Sequence, residues 1–194
     1  MTFISVNMTE GTTAVEETPQ AYRELGGRGL TSVMINREVP PECDPLGPEN
    51  KLIFAPGLLS GTPLVNTSRI SIGAKSPLTG GIKESNAGGT VAAALGKMGV
   101  DAVVIAGAVP EDALYILRIG PEGEVSLDPA DAYRGMRTYT LVDHLMRTYG
   151  ADSGIMCIGP AGEFKLASAS IQTTDVDGRP CRAAGRGGLG AVMG

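Results

Sequence analysis

The sequence predicts an α+β fold with largely antiparallel sheet. Extended segments outnumber helical ones, and most of them sit beside a hairpin-length connection. No glycine-rich fingerprint opens a helix after a strand with an acidic residue about 20 positions on, as a doubly wound nucleotide fold would require.

Element by element, Thr2 to Met8 alternates as a strand, Thr9-Glu10-Gly11 supplies a turn, and Thr13 to Glu16 completes a hairpin. Thr18 before Pro19 reads as an N-cap with proline at the first helical position, closed by Gly26-Gly27. A second helix is expected from about Gly29 to Arg37. Lys51 to Ala55 and Arg69 to Ala74 read as strands around a Gly- and Pro-punctuated loop from Pro56 to Pro63. Gly88 to Met98 is an alanine-rich helix ending at Gly99, followed by the continuous apolar strand Asp101 to Ala106. Ala113 to Ile119 and Glu124 to Leu127 flank a turn as a hairpin. Leu141, Leu145 and Tyr149 mark one face of a helix from about Thr140, and short strands are expected at Gly154 to Ile158 and Leu166 to Ile171. No linker divides the chain, so residues 1–194 read as one domain.

Composition narrows the function classes. A net charge of -5 and 4% aromatic content leave neither a basic face for a phosphate backbone nor stacking platforms for bases, so nucleic acid is excluded as a partner. No apolar run reaches the roughly 20 residues that cross a bilayer, and the N-terminus lacks signal-peptide order. A cytoplasmic protein without membrane partners is expected. Cys43, Cys157 and Cys181 are widely spaced with no C-x-x-C, which argues against a disulfide framework and against a self-contained metal or cluster site. His144, beside Asp143 on the predicted helix, reads as a surface residue. Glu111-Asp112 and Asp128 to Asp131 read as acidic turn or helix-start residues, not as a paired-carboxylate site.

Two segments are richer in glycine and arginine than turns require. One runs from Lys75-Ser76-Pro77-Leu78-Thr79-Gly80 to Ser85-Asn86-Ala87-Gly88-Gly89, and the other is Arg182-Ala183-Ala184-Gly185-Arg186-Gly187-Gly188-Leu189-Gly190. If Ser85 to Gly89 opens the alanine-rich helix, its free N–H groups and dipole favour an anion. In the second segment, glycines allow close approach of a bulky ligand, while Arg182 and Arg186 offer planar donor forks for phosphate or a heterocycle edge. Tight ligand-free loops explain one such cluster; two clusters with interspersed arginines point to cofactor binding.

These segments, in order, resemble the N-terminal domain of the aldehyde:ferredoxin oxidoreductase family. So do Leu25-Gly26-Gly27-Arg28-Gly29-Leu30, Asp44-Pro45-Leu46, Gly57-Leu58-Leu59-Ser60-Gly61-Thr62 and Ile158-Gly159-Pro160-Ala161-Gly162-Glu163. The resemblance implies two largely antiparallel β-sheets with short helices that form the base beneath a tungsten or molybdenum centre held by two pterins (tungstopterin). It also implies a [4Fe-4S] cluster whose ligands lie in other domains, ferredoxin as electron partner and a small aldehyde as substrate. By that resemblance Arg69 sits between pterin and cluster. The backbone carbonyls of Asn86 and Ala183 hold a magnesium ion, and Gly88, Gly89, Arg182, Gly185, Arg186, Gly187 and Gly188 line the pterins. No catalytic residue is expected in this chain. The stretch Leu64 to Ser68 departs from the family's glycine-rich pattern, and relatives continue past Gly194 into another strand. Further domains of the same protein or a larger subunit are therefore expected partners, and assembly into a homo-oligomer stays open. Two alternatives remain: a stand-alone pterin or phosphate-binding or assembly module without redox activity, and a reductase of aromatic thioesters from the same superfamily. If Asn86 and Ala183 share a cation, their two segments must meet on one exposed, locally positive face, with Arg69 opening onto it.

Overall fold

The computed structural model describes residues 1–109 and 113–194, so Glu111-Asp112 lies outside the described residues. Strand Thr2–Asn7 (β1) pairs antiparallel with Thr12–Glu17 (β2) as expected. Thr18 does not cap a helix. Its hydroxyl donates to Asp101, and only a single 3-10 turn, Gln20–Tyr22, follows. The next helix, Gly27–Glu38 (α1), buries Leu30, Thr31, Met34 and Ile35, the i, i+4 spacing of one apolar stripe.

Strands Lys51–Pro56 (β3), Ile70–Lys75 (β4) and Ile82–Ala87 (β5) pair antiparallel in sequence, β3 reaching β4 through the long loop 57–69 and β4 reaching β5 through the short turn 76–81. Ser85 to Ala87 are therefore the end of a strand and not the start of a helix. The helix begins later, at Val91–Lys97 (α2), and leads into Val100–Ala106 (β6). The six strands form one mixed sheet in the order β2-β1-β6-β3-β4-β5, in which β1 and β6 run parallel. Strands Tyr115–Ile119 (β7) and Val125–Pro129 (β8) make a separate hairpin. The remaining elements are helix Thr138–Tyr149 (α3), strand Met156–Cys157 (β9), one helical turn Pro160–Glu163 (α4), strands Ile171–Thr173 (β10) and Arg182–Ala184 (β11), and helix Leu189–Met193 (α5). The α+β class is as expected, but three sheets are present among the described residues, because β9, β10 and β11 form their own antiparallel layer.

Alternation along the central strands fills both faces of the large sheet. On one face Phe3, Ile53, Ala55, Ala102 and Val104 pack under α1. On the other, Ile4, Leu52, Phe54, Ile70, Ile72 and Val103 meet α2, Ile171, Ala184 and Leu189. Each fully buried aliphatic side chain, such as Ile53, contributes about 1.5–3 kcal/mol by leaving water. A smaller core forms where α3 lays Val142 and Leu145 against Ile155 and Cys157. His144 is exposed on that helix, with its ring edge against Tyr133. No helix among the described residues is long and apolar enough to cross a membrane.

Cys157 carries a testable consequence of this packing. Burial pushes its thiol up to about 12, whereas an unfolded cysteine titrates near 8.5. The folded state therefore keeps a proton that the unfolded chain sheds, and stability present below pH ~8.5 is lost as pH rises toward the folded value. Between about pH 9 and 11 this one group should cost roughly 1.4 kcal/mol per pH unit. Urea unfolding of Cys157→Ala across that window should show a correspondingly shallower fall; an unchanged slope would remove Cys157 as the cause.

Candidate cofactor-binding site

The two glycine- and arginine-rich segments meet through the edges of two sheets. β5 is the outer strand of the six-stranded sheet and β11 the outer strand of the three-stranded one, and β11 lies alongside β5. Edge strands keep one row of backbone groups outside their own ladder. From β11 the chain runs into the loop Gly185 to Gly188, which docks on β5 directly, the Arg186 amide donating to Ser85 Oγ at 3.1 Å. On its far side the same loop is held by Ser76, whose hydroxyl donates to the Gly187 carbonyl at 2.6 Å.

Ser76 is wholly buried, and its oxygen also accepts the Leu78 and Thr79 amides at 3.1 Å. A serine ahead of a turn is a signature of such local bonding. The long-range partner, Gly187, leaves no trace in the sequence. Ser76 and Ser85 are thus the organising residues that sequence reasoning missed.

Arg69 and Asn86 are also together. The Arg69 guanidinium donates from Nε to the Asn86 side-chain oxygen, and its Nη2 lies 3.5 Å from the Asn86 backbone carbonyl. Asn86 in turn donates to Ser71 Oγ at 3.0 Å. Because side chains alternate along β5, Asn86 and Arg69 occupy the α1 side while Ser85 and the Arg186 loop occupy the other. The two halves of the site therefore reach the β5 edge from opposite faces. The segments meet, but Arg69 does not open onto the same face as the Arg186 loop, as one exposed, locally positive face would require.

The glycines divide into two kinds. A side chain at Gly89 would place its Cβ 2.4 Å from the Thr174 carbonyl, and one at Gly187 would lie 2.2 Å from Lys83 Cγ. Gly188 would strike the Ala167 carbonyl at 2.0 Å. These three are required by packing. Gly185 meets nothing nearer than the Ala183 Cβ at 3.9 Å, and Gly88 only Arg69 Nη1 at 3.6 Å, so these two leave open backbone facing outward. Gly89 precedes a helix of seven residues whose cap, Thr90, turns its hydroxyl to Thr174 and gives the helix no side-chain cap. The expected dipole site at Ser85 to Gly89 is accordingly replaced by a strand edge.

Charge at this edge is mostly positive, Glu84 being the acid that β5 itself carries. Arg69, Arg182 and Arg186 are exposed and Lys83 half-buried, and no ion pair joins any of them to a carboxylate among the described residues. On a chain of net charge -5 this concentrates unneutralised cations around open glycine backbone, a donor set suited to an anionic, phosphate-bearing ligand. No group of three His, Cys, Asp or Glu side chains could hold a metal among the described residues, so a hard cation here would depend on backbone carbonyls. Cys181, next to Arg182, is exposed, and its hydrogen bond to Asp175 raises its pKa and suppresses the thiolate. Cys43 and Cys157 are buried.

Comparison with known proteins identifies the family of the chain. A family model described as "Aldehyde ferredoxin oxidoreductase, N-terminal domain" matches residues 3–194. A tungsten-containing aldehyde ferredoxin oxidoreductase of Pyrococcus furiosus is 38% identical over 99% of the chain, and that of Thermococcus kodakarensis 37% over 99%. In both cases the chain spans 31% of the relative's length. Among solved structures, a chain of the "Active site complex BamBC of Benzoyl Coenzyme A reductase in complex with 1,5 Dienoyl-CoA" superposes with a TM-score of 0.89 at 32% identity, covering all of this chain and 29% of that one. With the family match running almost end to end, the chain belongs to the aldehyde ferredoxin oxidoreductase family, as its N-terminal domain.

Proposed function

We propose that residues 1–194 form the cofactor base of a tungsten- or molybdenum-dependent oxidoreductase that converts aldehydes to carboxylic acids and passes the electrons to ferredoxin. The observation that carries this is the junction of β5 with β11, where Arg69, Arg182 and Arg186 have no carboxylate partner among the described residues and lie beside open glycine backbone. When bound, the bis-pterin centre supplies two-electron redox chemistry. The chain's own residues bind and orient it. Arg182 and Arg186 offer guanidinium forks to its polar edges, and Gly88 and Gly185 let it approach the backbone. The carbonyls of Asn86 and Ala183, on neighbouring strands, are the proposed magnesium ligands, with water completing the shell of a hard cation. Arg69, now bonded to Asn86, is placed beside that carbonyl and would turn toward the anion once a cation occupies it. The [4Fe-4S] cluster takes its ligands from outside this chain, two of whose three cysteines are buried. We place the protein in the cytoplasm.

A second reading has its own support. The likeness to the benzoyl coenzyme A reductase complex favours a base of the same construction beneath a thioester reductase. A binding module without redox activity would use the same loops.

Metal analysis of the full-length protein, with turnover of aldehydes and of an aromatic thioester in parallel, tests these readings. Stoichiometric tungsten or molybdenum with aldehyde-dependent viologen reduction is expected; absence of both metals would overturn the cofactor base. Arg69→Ala should slow electron transfer more than it lowers metal content, since the magnesium and phosphate anchors remain. Equal loss of both would contradict that division of roles.

A further inference from the structure

Lys75, the last residue of β4, has no strand beside it on the β3 side, because β3 pairs with β4 only from Ile70 to Gly73. The Asn50 side chain takes the place of the missing strand. Its Oδ1 accepts the Lys75 amide at 3.0 Å and its Nδ2 donates to the Lys75 carbonyl at 3.0 Å, the two bonds that a neighbouring peptide would make. The Lys75 side chain crosses to the segment between α1 and β3. There its ammonium donates to the Pro41 carbonyl and, at 2.6 Å, to the Cys43 carbonyl. We propose that Lys75 is a positioning residue for the loop Gly185 to Gly188, acting through Ser76, the next residue in the chain. The consequence for a cofactor rests on the cofactor-base reading; the positioning itself does not.

The first argument is the cost of the charge. Lys75 is 8% exposed, and no ion pair joins it to a carboxylate among the described residues. Its charge is met by backbone carbonyls. A methionine would fill nearly the same volume without taking an ion out of water, and exchanging buried ionic groups for apolar ones of similar size is often neutral for stability. What the apolar residue cannot supply is direction. Hydrogen bonds to two carbonyls of a separate segment fix where the ammonium lies, and with it the strand end that carries it.

The second argument is the path from that strand end to the loop. The peptide between Lys75 and Ser76 is planar, so holding the Lys75 carbonyl sets the plane from which Ser76 starts. The Ser76 amide donates to the Gly81 carbonyl at 2.9 Å, closing the turn, and its hydroxyl donates to the Gly187 carbonyl at 2.6 Å. Arg186 directly precedes Gly187, so a shift of Ser76 is passed to the guanidinium offered to the cofactor. Ser85 holds the same loop from β5. Lys75 therefore governs one of two supports, and its loss should loosen the loop without unfolding it.

Amide exchange of the metal-free full-length protein, read by mass spectrometry, tests the proposal. Lys75→Met should accelerate exchange at Arg186 to Leu189 about tenfold or more, as loss of a charge-assisted bond implies. Amides of α3, which packs in a separate core, should keep wild-type protection. Lys75→Ala should open the loop in the same way, and propylammonium, which restores the missing chain from Cγ to Nζ, should reverse the change. Tetramethylammonium at the same concentration has no N–H to donate and should not. If Lys75→Met does not fold, Lys75→Gln keeps N–H donors without the charge and is read by the same exchange. In the cofactor-loaded protein Lys75→Met should also release tungsten faster than wild type on dialysis. Unchanged loop exchange, equal acceleration in the loop and in α3, or no recovery with propylammonium would overturn the positioning role. A full-length protein that carries no tungsten would overturn the cofactor base and leave the exchange result standing.

Discussion

Replacing Gly188 by alanine should destabilise the protein by about 3–5 kcal/mol, combining left-handed backbone strain with an overpacked contact. Gly188 has φ +68°, a conformation that costs an L-residue roughly 1–2 kcal/mol. The added Cβ would lie 2.0 Å from the Ala167 carbonyl oxygen and 3.1 Å from Pro77 Cγ. The carbonyl is backbone and the proline a ring, so neither can swing aside as a flexible chain end would. Relief would require moving the Ala167 segment or the loop that carries Arg186. Gly185→Ala is the internal comparison, for its Cβ would meet only Ala183 at 3.9 Å and its φ lies outside the left-handed region. That variant should remain within about 0.5 kcal/mol of wild type while retaining less tungsten in the full-length protein. Urea unfolding with metal analysis separates the two effects. Similar stabilities for both variants would dissolve the distinction between packing glycines and ligand-facing ones.

The fold was legible wherever apolar periodicity was strong. α1 and α3 carry buried residues at the helical period, β1, β3, β4 and β6 are largely buried apolar runs, and β2, which buries nothing, follows from the turn after β1. β5 was not legible. Ile82-Lys83-Glu84-Ser85-Asn86-Ala87 has neither alternating apolar residues nor high β-propensity, because it is an edge strand whose outward side faces no core. Followed by an alanine-rich run, it resembled a helix start; pairing with β4 through the Ser76–Gly81 turn decided otherwise. β11 is three residues long and takes its identity from register with β10. α5, hidden in Leu189-Gly190-Ala191-Val192-Met193, exists because Gly190 lets it lie against Ala169 and Ser170. Leu166 to Ile171 is mostly turn, and its strand begins only at Ile171. At the site, the residue types were visible as clusters, but the opposite faces of β5 were not. They follow from alternation along a strand that local sequence does not announce.

Ser76→Ala should cost about 2–3 kcal/mol, the penalty for leaving buried polar groups unpaired after one hydroxyl is removed. The Ser76 oxygen serves three groups, the Gly187 carbonyl and the Leu78 and Thr79 amides, and the residue is fully excluded from solvent. Water cannot replace it without opening the turn. Thr62 makes a comparable 2.7 Å bond to the Leu59 carbonyl, but at an exposed position. Thr62→Ala should therefore stay within about 0.5 kcal/mol of wild type. Loss of the Ser76 bond should also free the loop it holds, so amide exchange should accelerate at Arg186 to Leu189 before global unfolding, while α1 amides keep their protection. Ser76→Ala with unchanged exchange in that loop would show that Ser85 alone positions it. Gly188→Ala strains the same loop, and a segment already released has less to lose. The double variant should consequently fall short of the summed destabilisation, and strict additivity would mean that the two residues support separate structures.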